Sequence, residues 1–159
     1  MRDMKYKFNY QTTAFDIWQL SMYGVYGSMV GVSNIIFTVA MLLLTARFWG
    51  DVNSFMKILL IIGICIFTVI QPALVYMRGK RQVATLPHEM EIGFDDNGIH
   101  INTEEQSSYL KWDAVEGVLK KPTMIVILSR DKHGFILTNR ALGKQKEAFY
   151  NYVFSKIQR

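Results

Sequence analysis

Two long uncharged stretches constrain this chain more than anything else: residues 17–46 and 58–77 contain no Asp, Glu, Lys or Arg. Crossing a hydrocarbon layer of about 30 Å takes about 20 helical residues, so each stretch is long enough to span. The pattern predicts one helix over about 23–46 and a second over about 55–77. The connection, Arg47-Phe-Trp-Gly-Asp-Val-Asn-Ser54, carries the turn formers Gly50, Asp51 and Asn53 and the interface-type Trp49. A connection this short makes the helices antiparallel. Arg2, Lys5 and Lys7 precede the first span and Arg78, Lys80 and Arg81 follow the second, against Arg47 and Lys57 near the loop. The positive-inside rule then places both termini in the cytoplasm. The apolar run starts too late for a cleaved secretory signal, and a second span follows at once.

Within the first stretch Gly24, Gly27, Ser28 and Gly31 recur at three- and four-residue spacing, with Gly27 and Gly31 forming a GxxxG. Small residues on one stripe let another backbone approach closely in lipid. Packing of the first helix on the second is the favoured use; self-association into a homo-oligomer is the alternative. Asn34 sits deep in the run, where an unpaired amide is costly, so it should face protein. One Asn and scattered hydroxyls do not make a pore. Gln71-Pro72 marks a kink in the second helix.

The flanks read differently. In residues 4–10 Tyr6, Phe8 and Tyr10 alternate with Lys5, Lys7 and Asn9, a strand that needs a sheet to join. Thr12 or Thr13 followed by Asp16 resembles a helix start. After Arg81 come short runs at 89–94, 99–103, 109–112, 117–121, 124–129 and 134–138, separated by turn signals, among them Asp95-Asp-Asn-Gly98, whose Asn-Gly accepts positive φ. Residues 142–157 then place Leu142, Phe149, Tyr152, Val153 and Ile157 near one helical face. The expected fold is membrane α+β: a two-helix hairpin plus a small antiparallel barrel capped by a C-terminal helix, with the N-terminal strand joining the sheet. The boundaries drawn are 1–22 for the strand and interfacial segment, 23–77 for the hairpin and 78–159 for the soluble domain.

The net charge of +5 does not indicate nucleic acid, because residues 82–159 carry as many acidic as basic side chains and the excess flanks the spans. The single cysteine, Cys65, lies in the second apolar stretch and closes no disulfide within the chain. His88, His100 and His133 show no metal-ligand spacing, and Asp95-Asp96 lacks the spaced oxygens of a calcium loop. Neither a catalytic motif nor a cofactor is expected. Trp112 is read as a core aromatic, with ligand stacking as its functional alternative. Lys120 and Lys121 beside Pro122, with Arg130 and Lys132 on a neighbouring turn, would make a basic lip for anionic headgroups.

The runs Met90-Glu-Ile-Gly-Phe-Asp-Asp-Asn-Gly-Ile99, Ser108-Tyr-Leu-Lys-Trp-Asp113 and Gly134-Phe-Ile-Leu-Thr-Asn-Arg-Ala-Leu142, after two spans, resemble the YcxB-like membrane proteins of bacteria. The resemblance implies a pleckstrin-homology-like domain on a two-helix anchor in the bacterial cell membrane, with no catalytic residues to carry over. Some small membrane proteins of this general design resemble immunity or self-protection factors against bacteriocins, an analogy of design. The expectation is therefore a non-enzymatic, multi-pass membrane protein that presents a cytoplasmic domain to a membrane or cytoplasmic protein partner, in an immunity or regulatory role. The alternative is binding of anionic lipid headgroups at the inner leaflet. An open sheet edge and the small-residue stripe are the expected recognition surfaces.

Overall fold

The computed structural model describes residues 4–86, 89–131 and 133–158. They form two compact units, one of Thr13–Thr85 and one that joins the residues up to Thr12 with those from Leu86 onward.

The first unit is helical. Helix α1 (Ala14–Tyr26) starts where Thr13 and Asp16 make a reciprocal capping box. The Thr13 backbone N–H donates to Asp16 Oδ2 at 2.9 Å, and the Asp16 N–H donates to Thr13 Oγ1 at 3.3 Å. Ser28 then adopts extended backbone (φ −115°) and α2 runs over Met29–Phe48. The helix expected from about residue 23 is thus two helices, broken where Ser28 turns extended and its hydroxyl donates to the Val25 carbonyl at 2.7 Å rather than capping α2. Helix α3 (Ser54–Cys65) begins at Asn53, whose side chain accepts the Met56 N–H at 2.9 Å.

A π-helical turn, Ile66–Ile70, joins α3 to α4 (Gln71–Val83). Pro72 has no N–H to give the preceding turn, and the wider turn lies immediately before it. Two aromatic side chains of α1 reach carbonyls there. Trp18 Nε1 donates to the Pro72 carbonyl at 3.0 Å and the Tyr26 hydroxyl to that of Phe67 at 3.4 Å. At the other end of α1, Gly79 packs on Ala14: a Cβ on Gly79 would stand 3.1 Å from the Ala14 carbonyl oxygen. Helices α1 and α4 therefore run antiparallel, and the chain enters and leaves this unit at one end.

Among the described residues the second unit is built on seven antiparallel strands. Strands β1 (Tyr6–Tyr10), β2 (Met90–Phe94), β3 (Gly98–Thr103) and β4 (Ser107–Lys111) form one sheet in that order; β5 (Val115–Lys120), β6 (Met124–Ser129) and β7 (Gly134–Thr138) form another. The N-terminal strand pairs with β2, placing Phe8 opposite Ile92, which is itself opposite Ile101 of β3. The ladders form two sheets, and among the described residues none joins them into the single closed barrel expected.

Helix α5 (Asn139–Leu142) ends at Gly143, which has φ +53°, and a 3-10 turn leads into α6 (Lys146–Ile157). This left-handed residue divides what the pattern predicted as one helix. Phe149 and Val153 of α6 are fully buried with Ile92, Phe94 and Ile99 of one sheet and Ile125, Ile127 and Leu137 of the other. The Phe94 and Phe149 rings meet edge-on at 4.7 Å, a favoured aromatic geometry.

Candidate functional site

The polar centre of the helical unit is a pair of amides. Asn34 Nδ2 donates to Gln71 Oε1 at 3.0 Å, and Asn34 is 6% exposed. The sequence pointed to a protein partner for Asn34 without identifying it; Gln71, the other amide in an apolar run, was the available signal. The expected stripe is distributed over two helices: Gly24 lies in α1, Gly27 and Ser28 in the junction, Gly31 and Asn34 in α2. Of these glycines, Gly27 and Gly31 make close approaches, a Cβ on Gly27 falling 2.7 Å from the Tyr23 carbonyl oxygen. A Cβ on Gly31 would fall 2.5 Å from Tyr26 Cα, whereas one on Gly24 meets nothing within 4 Å.

In the α+β unit the β2–β3 turn is organised by Asp95, which is 4% exposed. Its Oδ1 accepts the N–H groups of Asn97 and Gly98, both at 2.8 Å, and its Oδ2 lies 2.7 Å from His100 Nε2. Burial raises the Asp95 carboxyl, but the bonds from His100, Asn97 and Gly98 outweigh it and hold the group below its ordinary value. The expected positive φ at Gly98 is absent. What requires glycine is space: a Cβ would collide with the Leu110 carbonyl oxygen and lie 2.9 Å from the Tyr109 hydroxyl.

Trp112 is a core residue, 8% exposed, whose Nε1 donates to the Asp95 carbonyl at 3.0 Å. Beside it, the Tyr152 hydroxyl is buried and makes no well-formed hydrogen bond among the described residues, although the Asp96 carboxylate lies near enough to act on it. Burial first, then the Asp96 and Asp95 carboxylates, push this phenol up to about 12. Asp96 is held low by Lys156, whose Nζ lies 2.7 Å from Asp96 Oδ1.

Of the expected basic lip, the structure places Lys120 and Lys121 apart from Arg130. Lys120 and Lys121 precede β6 and Arg130 follows it, so a six-residue strand, about 17 Å of chain, separates them; Lys132 lies outside the described residues. Lys120 instead pairs with Glu147 at 2.6 Å and lies over the Tyr150 ring. The sequence missed Lys146, whose Nζ donates to the Lys121 and Pro122 carbonyls at 2.7 and 2.8 Å and whose pKa is lowered by burial. It fastens α6 to the β5–β6 turn.

Among the described residues no three His, Cys, Asp or Glu side chains come close enough to hold a metal ion; His88 lies outside them. A cavity of about 490 Å³ opens at one end of the four-stranded sheet, lined by Asn9, Tyr10, Glu89, Glu91, Asn102 and Glu104 among others. One of its carboxylates is already engaged, since Glu91 pairs with Lys7 at 2.9 Å. A notch of about 160 Å³ beside the π-helical turn is lined by Tyr26, Asn34, Ile35, Thr38, Val39, Phe67 and Thr68.

A comparison with curated proteins finds no match to the chain. The family recognised from the sequence is the one whose model matches: YcxB-like protein, over residues 94–153, from the last residue of β2 into α6.

Proposed function

We propose that the protein is a non-enzymatic integral membrane protein of the bacterial cell membrane, with both termini in the cytoplasm and its α+β unit serving there as an interaction module for a protein partner. The observation that carries this reading is the uncovered apolar surface of the helical unit. Met29–Phe48 and Ser54–Val83 are long and apolar enough to cross a membrane, yet only 11% and 6% of their most apolar stretches are buried within the protein. Core helices of a water-soluble domain hide that surface; lipid is the solvent in which leaving it open costs nothing. Lys5 and Lys7 before the hairpin and Arg78, Lys80 and Arg81 after it favour the cytoplasmic side.

Two antiparallel sheets with a C-terminal helix seated between them support a pleckstrin-homology-like module, and such a fold by itself specifies no chemistry. A self-protective or regulatory role would be exerted through a protein contact. Separation of Lys120 and Lys121 from Arg130 favours that partner over a lipid headgroup held by all of these cations. The test is extraction of cell membranes at alkaline pH, combined with a reporter fused after Arg159. The protein should remain in the pellet and the reporter should be active in the cytoplasm; release into the supernatant, or activity on the outer side, would refute the reading.

A further inference from the structure

Exposed sheet edges are templates for another strand, and proteins protect them with helices, bulges or short irregular pairing. The edges here are β1, β4, β5 and β7. Helix α5 packs against both β1 and β7, and α6 packs against β5, which also carries a register shift between Val115 and Gly117. Among the described residues, no helix packs against β4 to the extent seen at the other edges, and its pairing carries no register shift. Strand β4 pairs with β3 through unbroken partners from Gly98–Lys111 to Asn102–Ser107, and Ser107, Ser108, Tyr109 and Lys111 are exposed.

Which β4 backbone groups face outward follows from the hairpin. The Thr103 N–H donates to the Gln106 carbonyl at 2.8 Å, and bonded and non-bonded pairs alternate along an antiparallel ladder. Ile101–Ser108 and Ile99–Leu110 are therefore the bonded pairs, and Ser107, Tyr109 and Lys111 point their N–H and C=O groups away from β3.

From this edge we infer that β4 pairs antiparallel with β4 of a second copy of the chain, about a two-fold axis at Ser108. Centring on Ser108 sets Ser107 against Tyr109 of the other copy, so that outward groups meet outward groups. It also brings the β3–β4 turn, which carries Glu105, beside Lys111 at both ends, an opposite-charge approach made twice by symmetry. This match of an acidic turn with a basic strand end is what a second copy supplies. The inference rests on the reading of the α+β unit as a protein-interaction module and names its partner.

The test uses the full chain in native membranes with Cys65→Ser, so that Ser108→Cys supplies the sole thiol. Ser108 would face its own copy across a non-bonded pair, within reach of a disulfide after slight adjustment. Mild oxidation should give a covalent dimer from Ser108→Cys but little from Glu116→Cys on β5. Lys111→Glu should cut the yield about tenfold, since two attractions become repulsions, and Glu105→Lys added to it should restore it. In mild detergent the unmodified chain should have a dimer's mass. A monomer's mass, equal cross-linking at Ser108 and Glu116, or indifference to Lys111→Glu would overturn the pairing. A monomer that still resists alkaline extraction would do so while leaving the membrane reading intact.

Discussion

The ring of Phe8 meets the ring of Phe149 edge-on, 5.1 Å between centroids and 84° between planes, so residues from opposite ends of the chain share one core. Phe8 is 6% exposed and Phe149 fully buried. The helical unit is therefore an insertion within the α+β unit in sequence terms, and the antiparallel packing of α1 on α4 returns the chain to where it entered. Phe8→Ala should cost roughly 3–5 kcal/mol, the usual range for a buried aromatic truncation. Thermal unfolding should report it as a single large downward shift.

Removing the turn carboxylate should also be severe. Asp95→Ala strands the N–H groups of Asn97 and Gly98 and the His100 ring, for an expected loss of about 2–3 kcal/mol. The acid dependence has a definite sign. Asp95, Asp96 and Glu91 all have folded pKa values below their ordinary ones, so their stabilisation is complete above the unfolded carboxylate range, near pH 4, and is lost as pH falls through the folded values. Melting midpoints compared at pH 7 and pH 3 should show that decline, and Asp95→Ala should flatten it.

The Tyr152 hydroxyl offers a case where deletion helps. A buried hydroxyl with no well-formed hydrogen bond, and only the neighbouring Asp96 carboxylate to act on it, gains little to offset its desolvation, so Tyr152→Phe should leave the melting midpoint unchanged or raise it. A drop of more than about 1 kcal/mol, the net worth of an ordinary hydrogen bond, would show that the phenol is engaged after all.

In the helical unit the amide pair should be measurably coupled. Asn34→Leu and Gln71→Leu should each destabilise the protein in detergent, and the double variant should lose less than the sum. The coupling should be roughly 0.5–2 kcal/mol, as for interhelical hydrogen bonds in lipid.

Glycine substitutions separate close packing from mere spacing. Gly31→Ala drives a methyl into the Tyr26 backbone and should cost about 1–3 kcal/mol. Gly24→Ala, with open space around it, should be neutral, although both glycines belong to the same apparent stripe.

How much of this was legible depended on whether the signal was local. Strands β6 and β7 match the sequence-predicted runs at both ends, because turn residues bracket short apolar segments there. The Tyr6, Phe8 and Tyr10 alternation identified a strand, but nothing local could name β2, which follows the whole helical unit, as its partner. The break at Ser28 was hidden because an apolar run has the same composition on both sides of it. Gly98 was assigned for the wrong reason, since dipeptide chemistry does not reveal that a neighbouring strand needs the space. Lys120 and Lys121 stand apart from Arg130 because adjacency in a meander is not adjacency in space: successive turns lie at opposite ends of the strand they share.

Splitting the α+β unit most directly tests the claim that it needs the N-terminal strand. Residues 4–12 joined through a flexible Gly/Ser linker to residues 86–158 should give a soluble protein with dispersed amide resonances and one cooperative thermal transition. Residues 86–158 alone, lacking Tyr6 and Phe8 against the α6 aromatics, should give neither. If the shorter fragment folds cooperatively with the same midpoint, the strand is an accessory and the account of a domain interrupted by its helices is wrong.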